Sequence, residues 1–589
     1  MPQMPPPTAL PEPTALPGPT VLPGPTVLPD ILRERASAEP DRTAYIFLDD
    51  TGEETAALTY GQLHAAALGV AQELASRCAP GDRALLVFPQ CLEFIVAYFG
   101  CLYAGVIAVP LNPPRRNRIQ DATRSVVQDC APAAVLSLEL FLAPLRAVLE
   151  PLCAATHWLA VDGMPAAAPG FEPFAAALGD VAFLQYTSGS TAAPKGVMVT
   201  HGNLMANEEM IRRGFGHDRD STVVGWAPFF HDQGLIGNVL QPLYVGATSI
   251  VMSPATFIRR PLLWLSTITR YRAHTSGGPN FAFEACVGRA AAGPVPELDL
   301  SSWKVAFNGA EPIRPDTLRR FEETFAPHGF STGAWYPCYG LAEATLLVSG
   351  STPGRGRRLL EVDVEALGER RYVDATGART KTLVGSGHVL PGEDVRIIDP
   401  ESGEQCPPDR VGEIWVAGGH VAQGYWRNET ATELTFRPGG KYLRTGDLGL
   451  LLDGELYVVG RSKDLVIIRG RNYYPQDIEQ TVQAAHPALR AGAGAAFAID
   501  GPEGEKLVVI QEVRRTADAD PADIAADIKA AVLREHELAL ADLVLTAPDE
   551  VQRTSSGKIM RSAARKRYLA KEFELWTPQV EALTDAPRS

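Results

Sequence analysis

The sequence predicts an α/β protein with a large N-terminal domain of several subdomains and a small C-terminal domain. Its 589 residues exceed what one hydrophobic core usually organises. Strand-like and helix-like apolar runs alternate both before and after about residue 460. We therefore expect layered sheets and helices in residues 31–460 and a separate, mobile α/β domain in residues 461–589.

The first residues are expected to lie outside this fold. Residues 7–30 consist of four near-copies of one hexad, PTALPE, PTALPG, PTVLPG and PTVLPD. Proline at this density opposes helix formation and favours solvated polyproline II. We predict a disordered tail over residues 1–30, with a docking peptide as the alternative, and an ordered chain from near Ile31.

Apolar periodicity predicts the elements in chain order. In the first part we expect strands at residues 44–48, 84–88, 106–109, 181–184 and 197–199, and helices at 60–76 and 92–102. After residue 460 we expect strands at 464–469, 495–499 and 506–512, and helices at 475–486 and 522–535.

Composition narrows the class of partner. Hydrophobic residues make up 46% and charged residues 21%, as in ordinary globular proteins. A net charge of −15 disfavours binding to nucleic acid or to anionic membranes. No apolar run could insert stably across a bilayer, and the start lacks a secretory pattern. The eight scattered cysteines indicate free thiols in the cytoplasm rather than a zinc site.

A loop suited to phosphate binding lies between two of the predicted strands. The stretch from Tyr186 to Gly196, YTSGSTAAPKG, offers glycines, hydroxyl donors and the cation Lys195. Glycines let backbone N–H groups approach an anion, so a polyphosphate is the expected guest. A Walker A loop needs glycine before the lysine, and here Lys195 precedes Gly196, so that template fails. An ordinary Ser/Thr/Gly turn remains the alternative.

The loop resembles that of the adenylate-forming enzymes, which include acyl-CoA synthetases, luciferases, nonribosomal-peptide adenylation domains and fatty acyl-AMP ligases. Further motifs follow in the same order, from APFFHDQGL and GGPNFAF through FNGAEP, YGLAEAT, RTGDLG and VVGRSKD to TSSGKI near the end. The resemblance extends from about residue 31 to about residue 575. It implies that a carboxylate attacks ATP, with Mg²⁺, to give an acyl-adenylate and pyrophosphate.

The resemblance also implies residue roles. Nucleotide or phosphate binding falls on Thr187, Ser188, Gly189, Ser190, Thr191, Lys195, Asn308, Gly309, Ala310, Tyr339, Gly340, Asp447 and Arg461. The acyl pocket falls on Gly278, Asn280, Phe281 and Phe283. Catalytic roles fall on Lys558, His231 and Glu343, and Glu343 would also hold the metal. The hinge between the domains falls on Lys463, with Asp464 as a rival.

The residues alone leave other interpretations open for several of these positions. His231 stands beside aromatic residues and, like Phe281 and Phe283, fits ordinary core packing. Asp447 fits a turn at a strand end. Lys558 fits an exposed surface lysine.

The wording of several motifs resembles the fatty acyl-AMP ligase branch: LQYTSGS, NGAEP, EATLL, VAQGYW and RGRNYYPQD. A segment at about residues 351–385 looks like the insertion that is thought to hamper the movement needed for CoA use in that branch. The implied acceptor of the fatty acyl group is the phosphopantetheine thiol of an acyl carrier protein acting in trans, since no carrier domain precedes Ser589. A long- or medium-chain acyl-CoA synthetase and a nonenzymatic adenylate-binding protein are the alternatives, which CoA supply and pyrophosphate release would separate.

Overall fold

The computed structural model describes residues 26–114, 121–153, 156–187, 194–375, 379–436, 441–468, 471–501, 504–515, 519–554 and 557–577. The strands, in chain order, are β1 Thr43–Leu48, β2 Glu54–Thr59, β3 Arg83–Leu86, β4 Ile107–Pro110, β5 Ala134–Ser137, β6 His157–Ala160, β7 Val181–Thr187, β8 Lys195–Thr200, β9 Thr222–Gly225, β10 Thr248–Met252, β11 Thr275–Gly278, β12 Val305–Asn308, β13 Trp335–Gly340, β14 Leu347–Gly350, β15 Leu359–Asp363, β16 Thr380–Val384, β17 His388–Val389, β18 Glu393–Ile398, β19 Gly412–Gly418, β20 Leu443–Leu452, β21 Glu455–Arg461, β22 Val466–Ile468, β23 Arg471–Tyr473, β24 Leu489–Gly501, β25 Gly504–Val513 and β26 Leu540–Thr546.

The α-helices, in chain order, are α1 Leu28–Ala38, α2 Tyr60–Ala75, α3 Leu92–Ala104, α4 Asp121–Cys130, α5 Glu139–Leu149, α6 His201–Phe215, α7 Gln241–Val245, α8 Pro254–Arg259, α9 Pro261–Arg270, α10 Asn280–Ala292, α11 Pro315–Phe325, α12 Val364–Gly368, α13 Glu429–Phe436, α14 Pro475–Ala485, α15 Pro521–His536 and α16 Arg561–Leu569. A π-helical segment, Gln233–Leu240, precedes α7.

The largest sheet joins two kinds of pairing. Its strand order is β18-β19-β20-β21-β17-β14-β13-β12-β11-β9-β10-β1-β2. Strands β1, β10, β9, β11, β12 and β13 run parallel, whereas β14, β17, β21, β20, β19 and β18 continue the sheet in antiparallel pairs. A second sheet, in the order β6-β5-β3-β4-β7-β8, is parallel except for its last pair.

Aromatic packing fixes the helices against the parallel part of the large sheet. Trp264, Phe283, Trp303, Phe321 and Trp335 are fully buried and pack ring to ring, mostly edge to face. Such pairs add about 0.5–1.5 kcal/mol each beyond their area burial. This cluster holds α9, α10 and α11 in place behind the strand ends that carry the candidate site.

The C-terminal segment has a core of its own. β24 pairs antiparallel with β25, which pairs parallel with β26. Helices α14 and α15 cover this sheet through buried Ile478, Val482, Ile524 and Ile528. The predicted α/β architecture, a large layered N-terminal part and a smaller C-terminal domain, is confirmed.

Two predicted boundaries need correction. The predicted tail extends to residue 30, but α1 begins at Leu28, inside the last hexad. A proline in the first turn lacks only an N–H that the helix leaves unpaired, and Leu28, Ile31 and Leu32 are buried, so packing extends the helix backwards. Residues 1–25 lie outside the described residues. The strand expected at 464–469 begins only at Val466, because a 3₁₀ turn takes up Ser462–Asp464, and Arg469 lies outside the described residues.

In the part of the chain that the structure describes, no helix is both long and apolar enough to cross a membrane.

Candidate active site

Four loops with predicted site residues leave the same edge of the large sheet. β9, β11, β12 and β13 are parallel neighbours, so their carboxyl ends meet at one edge. The segment 226–231 follows β9, Gly278 ends β11, Gly309 follows β12, and Gly340 ends β13. Motifs far apart in the sequence therefore converge on one crevice.

Tyr339, Asp447 and Arg461 form what we name the nucleotide corner. The Tyr339 hydroxyl donates to Oδ2 of Asp447 at 2.7 Å, and Nε of Arg461 donates to Oδ1 at 2.9 Å. Asp447 and Arg461 face each other across the β20–β21 ladder, which explains their spacing in the sequence. The Asp447 carboxylate raises the pKa of Arg461 above its ordinary value. Each carboxylate oxygen keeps a lone pair for a ligand hydroxyl.

The floor beside this corner combines close backbone contact with an unusual buried amide. A side chain at Gly340 would meet the Leu346 carbonyl at 1.8 Å, and one at Gly309 the Cys338 carbonyl at 2.9 Å. Ala310 has a φ of +69°, a left-handed conformation that is strained for alanine. Asn308 is fully buried, and among the described residues its side-chain amide finds no hydrogen-bond partner. Such an amide suits the polar edge of a bound base.

Lys195, Glu343 and Tyr425 form what we name the phosphate corner. Tyr425 donates its hydroxyl to Oε1 of Glu343 at 2.9 Å, and the Lys195 ammonium lies 4.6 Å from the Tyr425 ring centroid. Burial and the nearby Lys463 lower the pKa of Lys195, against the attraction of Glu343. Thr187 pairs with Lys195 across β7 and β8, so both stand at the base of the predicted phosphate loop. Ser188, Gly189, Ser190 and Thr191 lie outside the described residues.

Glu343 is suited to hold a cation together with phosphates. In the described ranges no group of three or more His, Cys, Asp or Glu side chains could hold a metal ion. Mg²⁺ is commonly bound by one or two carboxylates plus substrate phosphates, so a single carboxylate beside Lys195 fits that mode.

A tight loop, residues 553–559, which we name the lysine loop, carries Lys558. The Thr554 N–H donates to the Lys558 carbonyl at 2.8 Å, and the Lys558 N–H donates to Oγ1 of Thr554 at 3.1 Å. Gly557 adopts a φ of +88°, which favours glycine. Ser555 and Ser556 are outside the described residues. The two hydrogen bonds hold Lys558 opposite Thr554, on the C-terminal side of the loop.

The lysine loop reaches into the crevice of the large domain. Lys558 is exposed to solvent, but the protein atoms around it desolvate the ammonium and lower the pKa of Lys558; Arg461 lowers it further, while Asp232, Asp447 and Glu311 raise it. A side chain at Gly557 would come within 3.7 Å of the Phe281 ring. The structure thus brings Lys558 together with the nucleotide corner and the end of the acyl region.

His231 lies on a loop that two glutamines hold. Nε2 of Gln90 donates to the Ala227 carbonyl at 3.0 Å, and the Phe229 N–H donates to Oε1 of Gln90 at 3.2 Å. Nε2 of Gln185 donates to the Phe230 carbonyl at 3.0 Å. The His231 N–H bonds the Pro228 carbonyl at 3.0 Å, which closes the turn. The second sheet therefore fixes the position of His231.

The four predicted acyl-pocket residues divide into two pairs. A side chain at Gly278 would meet the Trp226 ring at 2.7 Å, and Phe281 contacts the same ring edge to face at 5.9 Å. Gly278 and Phe281 thus stand at a surface that Trp226 shapes. Phe283, in contrast, lies in the aromatic core between Trp264 and Trp335. Its role in the acyl pocket stays a prediction, and the partners observed for its ring are aromatic core residues.

Asn280 also has a structural position. Its Oδ1 accepts from the Arg314 N–H at 3.1 Å, and its Nδ2 donates to Oγ1 of Thr317 at 3.2 Å. Glu311 supports the same corner, because its Oε1 accepts from the Phe281 N–H at 2.6 Å. Burial raises the pKa of Glu311. The amide of Asn280 joins α10 to α11, and its place in the pocket wall stays a prediction.

The predicted hinge lies where the two domains join. Lys463 is exposed in the 3₁₀ turn after β21. Asp464 accepts from Nη1 of Arg561 at 2.9 Å, and Arg561 also binds Glu479 of α14. Asp464 is therefore already tied to the C-terminal domain, which favours Lys463 over Asp464.

The predicted insertion contains the hairpin β15–α12–β16 and touches the C-terminal domain. Nζ of Lys381 is 2.6 Å from Oδ2 of Asp477, and Nη1 of Arg379 is 3.0 Å from Oε1 of Glu537. Nδ2 of Asn472 donates to the Gly368 carbonyl at 2.8 Å. Residues 376–378 lie outside the described residues. We name these three pairs the insertion contact.

Sequence reasoning missed several residues that the structure places in the site. Tyr425, Gln90, Trp226, Asp232 and Glu311 were given no role. Tyr425 and Glu311 stand in stretches that carry the family resemblance, QGYW and NGAEP, which was the available signal. Gln90 and Trp226 are revealed only by contacts between distant segments.

The chain was compared with known families and structures. Residues 32–426 match the AMP-binding enzyme family, and residues 463–577 match the AMP domain of Disco-interacting protein 2-like proteins. The chain is 42% identical over 571 residues to the medium-chain-fatty-acid–[acyl-carrier-protein] ligase JamA of Moorena producens, covering 94% of this chain and 96% of that protein. It is 39% identical to the long-chain-fatty-acid–AMP ligase FadD26 of Mycobacterium marinum, covering 92% and 97%.

A solved structure extends the comparison to three dimensions. The fatty acyl-adenylate ligase from Legionella pneumophila, crystallised with acyl adenylate and pyrophosphate, is 40% identical with a TM-score of 0.73. The alignment covers 92% of this chain and 96% of that one.

Proposed function

The chain belongs to the AMP-binding enzyme family, in its fatty acid–AMP ligase branch, and from that premise we propose how its residues divide the work. The enzyme activates a fatty acid with ATP, giving a fatty acyl-adenylate and pyrophosphate. In this first step a carboxylate oxygen bonds to the α-phosphorus while the bond from that phosphorus to pyrophosphate breaks. Two anions must meet, so the protein has to supply positive charge and fixed geometry.

The position of Lys558 carries the proposal. The lysine loop places its ammonium near Asp447 and Arg461, beside the nucleotide corner, and near Asp232, next to His231. A cation there faces both the carboxylate and the α-phosphate, and it stabilises the charge that spreads over the phosphoryl oxygens. His231 positions the carboxylate, and Asp447 holds the ribose hydroxyls.

The phosphate corner acts on the leaving group. Lys195 and the hydroxyl and backbone donors that follow Thr187 bind the β- and γ-phosphates. Glu343 would hold Mg²⁺, which when bound neutralises phosphate charge and favours departure of pyrophosphate. Tyr425 keeps the Glu343 carboxylate oriented through its hydroxyl.

The acceptor of the acyl group is proposed to be the phosphopantetheine thiol of an acyl carrier protein in trans. JamA, named as a ligase to an acyl carrier protein, is among the chain's relatives. Transfer needs the C-terminal domain to turn about Lys463 and withdraw Lys558. The insertion contact holds the C-terminal domain and so opposes that turn. A carrier protein can offset this cost through contacts with its own surface, whereas CoA has no protein surface, and we propose that CoA is therefore disfavoured as acceptor.

The acyl-CoA synthetase and the nonenzymatic adenylate-binding protein remain distinct alternatives. Lys195, Glu343, Asp447, Arg461 and Lys558 are all present and converge on one crevice, which favours an active enzyme. The compartment is proposed to be the cytoplasm, because all eight cysteines, each within the described residues, are free thiols.

Mass spectrometry of the purified protein tests these alternatives. The protein is incubated with ATP, Mg²⁺ and fatty acids of different length, with and without CoA or holo acyl carrier proteins. We expect acyl-adenylate that persists with CoA and is consumed by a holo carrier. Rapid acyl-CoA formation would assign the protein to the synthetases. Absence of both adenylate and pyrophosphate would contradict the proposed activity, although the fold assignment would still stand.

A further inference from the structure

An arginine-rich cleft lies on the surface of the C-terminal domain. Arg490, Arg514, Arg515, Pro548 and Asp549 line an open cleft of about 280 Å³. Arg514 and Arg515 follow the end of β25 and are exposed. We name this surface the arginine cleft.

The carboxylates near the cleft do not neutralise it. Nη1 of Arg490 lies 2.9 Å from Glu512 and 2.7 Å from Asp549. Glu512 is buried and also accepts from the Val551 N–H at 2.9 Å, so it serves the domain core. In the part of the chain that the structure describes, Glu512 and Asp549 face Arg490 and Arg553, and Asp549 also faces Arg515. Positive charge is concentrated here although the whole chain carries −15.

Arg553 faces charges of both signs. Desolvation lowers the pKa of Arg553, Glu512 raises it, and Arg490 lowers it further. Like charges gathered around a cleft repel one another and lower the stability of the domain. An anionic partner bound there relieves this repulsion and is attracted by the same charges.

Arg553 connects the cleft to the active site. It begins the lysine loop, and its backbone bridges to Ile559, the residue after Lys558. Glu311 of the large domain and Asp549 of the cleft both act electrostatically on Arg553. A partner seated in the arginine cleft therefore contacts the same domain surface that carries Lys558.

We propose that the arginine cleft docks an acidic surface of the acyl carrier protein. The proposal rests on the proposed function, because a carrier protein is the acceptor there. An overall charge of −15 would otherwise repel an acidic carrier, so a local cationic surface is what such a partner requires. The cleft is open, and Arg514 and Arg515 at its edge are exposed, which suits several carboxylates better than one enclosed phosphate.

The test separates docking from chemistry. The variant Arg514→Glu/Arg515→Glu is compared with the unmodified enzyme and with Arg534→Glu, which reverses an exposed charge on α15 of the same domain. Three reactions are followed: acyl-adenylate formation without acceptor, transfer to a holo acyl carrier protein that the unmodified enzyme acylates, and transfer to free pantetheine and phosphopantetheine.

We expect kcat/KM for the holo carrier to fall about tenfold in the double variant, mainly through KM, with adenylate formation and transfer to both small thiols unchanged. Added salt should weaken transfer to the carrier in the unmodified enzyme and have less effect in the variant. Arg514→Lys/Arg515→Lys and Arg534→Glu should behave like the unmodified enzyme.

Unchanged carrier transfer in the double variant would overturn the proposal. So would an equal loss with phosphopantetheine but not pantetheine, since that places the contact on the phosphate of the arm. If the unmodified enzyme formed acyl-adenylate but acylated no carrier protein, both the docking proposal and the proposed acceptor would be overturned. Adenylate formation without acceptor would show that the enzyme itself is active in that case.

Discussion

The nucleotide corner and the lysine loop differ in how the protein holds them. Tyr339, Asp447 and Arg461 are bonded to one another and stand on strands of one sheet. Lys558 is bonded to Thr554 of its own loop, and it faces the crevice through electrostatic interactions across a domain boundary. Substrate binding is thus preorganised on the sheet, while the group that stabilises the transition state arrives with a second domain.

Removal of the Lys558 ammonium should give the largest effect. Lys558→Ala should lower the rate of adenylate formation by about 10²–10³, because one preorganised donor to the developing charge is lost. The KM for ATP should change little, since the nucleotide corner remains. Pyrophosphate release measures the first step.

The second half of the reaction supplies the contrast. Transfer from chemically prepared acyl-adenylate to a thiol should survive Lys558→Ala, and Lys529→Ala, an exposed lysine on α15, should leave both halves intact. Equal loss of both halves would mean that Lys558 supports the domain rather than the first step.

The sequence located both halves of the site because each depends on short local patterns. Asp447 and Arg461 are set by strand pairing, and Lys558 by a glycine-containing loop, so motif reading reached them. The sequence does not reveal that Phe283 and Asn280 have packing partners of their own, because a phenylalanine or an amide in an apolar motif has the same text whether it lines a pocket or packs a core. Gln90 and Trp226 act through partners in distant segments, which local reading does not reveal.

Disruption of the nucleotide corner should be the next largest effect. Asp447→Asn leaves Arg461 without its charged partner and weakens the hydrogen bonds that the side chain accepts from the ribose hydroxyls. Hydrogen bonds to charged groups contribute about 1.5–3 kcal/mol, so kcat/KM for ATP should fall roughly 10–100-fold. Initial rates at varied ATP give this value. Tyr339→Phe, which removes a single bond to Asp447, should cost about tenfold, at the lower end of that range. A larger loss of kcat/KM for Tyr339→Phe than for Asp447→Asn would mean that Tyr339, rather than Asp447, is the main contact to the nucleotide.

The charge of Lys558 should appear in the pH dependence. Its pKa is lowered from the ordinary 10.5 by desolvation and by Arg461. A lowered pKa means that the ammonium loses its proton at lower pH, so kcat/KM for adenylate formation should decline on the alkaline side below 10.5. Lys558→Arg keeps its charge throughout and should move that decline to higher pH, at a reduced rate. An identical alkaline limb in the variant would assign the titration to another group.

The insertion contact offers the smallest and most selective effect. Lys381 and Asp477 are partly exposed, at 20% and 27% of their side-chain surface, so their pair contributes about 0.2–1 kcal/mol. Lys381→Ala should therefore release the C-terminal domain slightly and raise acyl-CoA formation by about two- to fivefold, without changing adenylate formation. Asp477→Ala should do the same, and the double variant should exceed neither, because both remove one interaction. Arg396→Ala, which removes a surface pair with Asp394 inside the large domain, should have no effect on either product. If Lys381→Ala and Arg396→Ala gave the same rate of acyl-CoA formation, the insertion contact would not be what excludes CoA. The shape of the crevice would then have to exclude it. The nucleotide corner and the lysine loop would still differ in how they are held, but that difference would not decide which thiol accepts the acyl group.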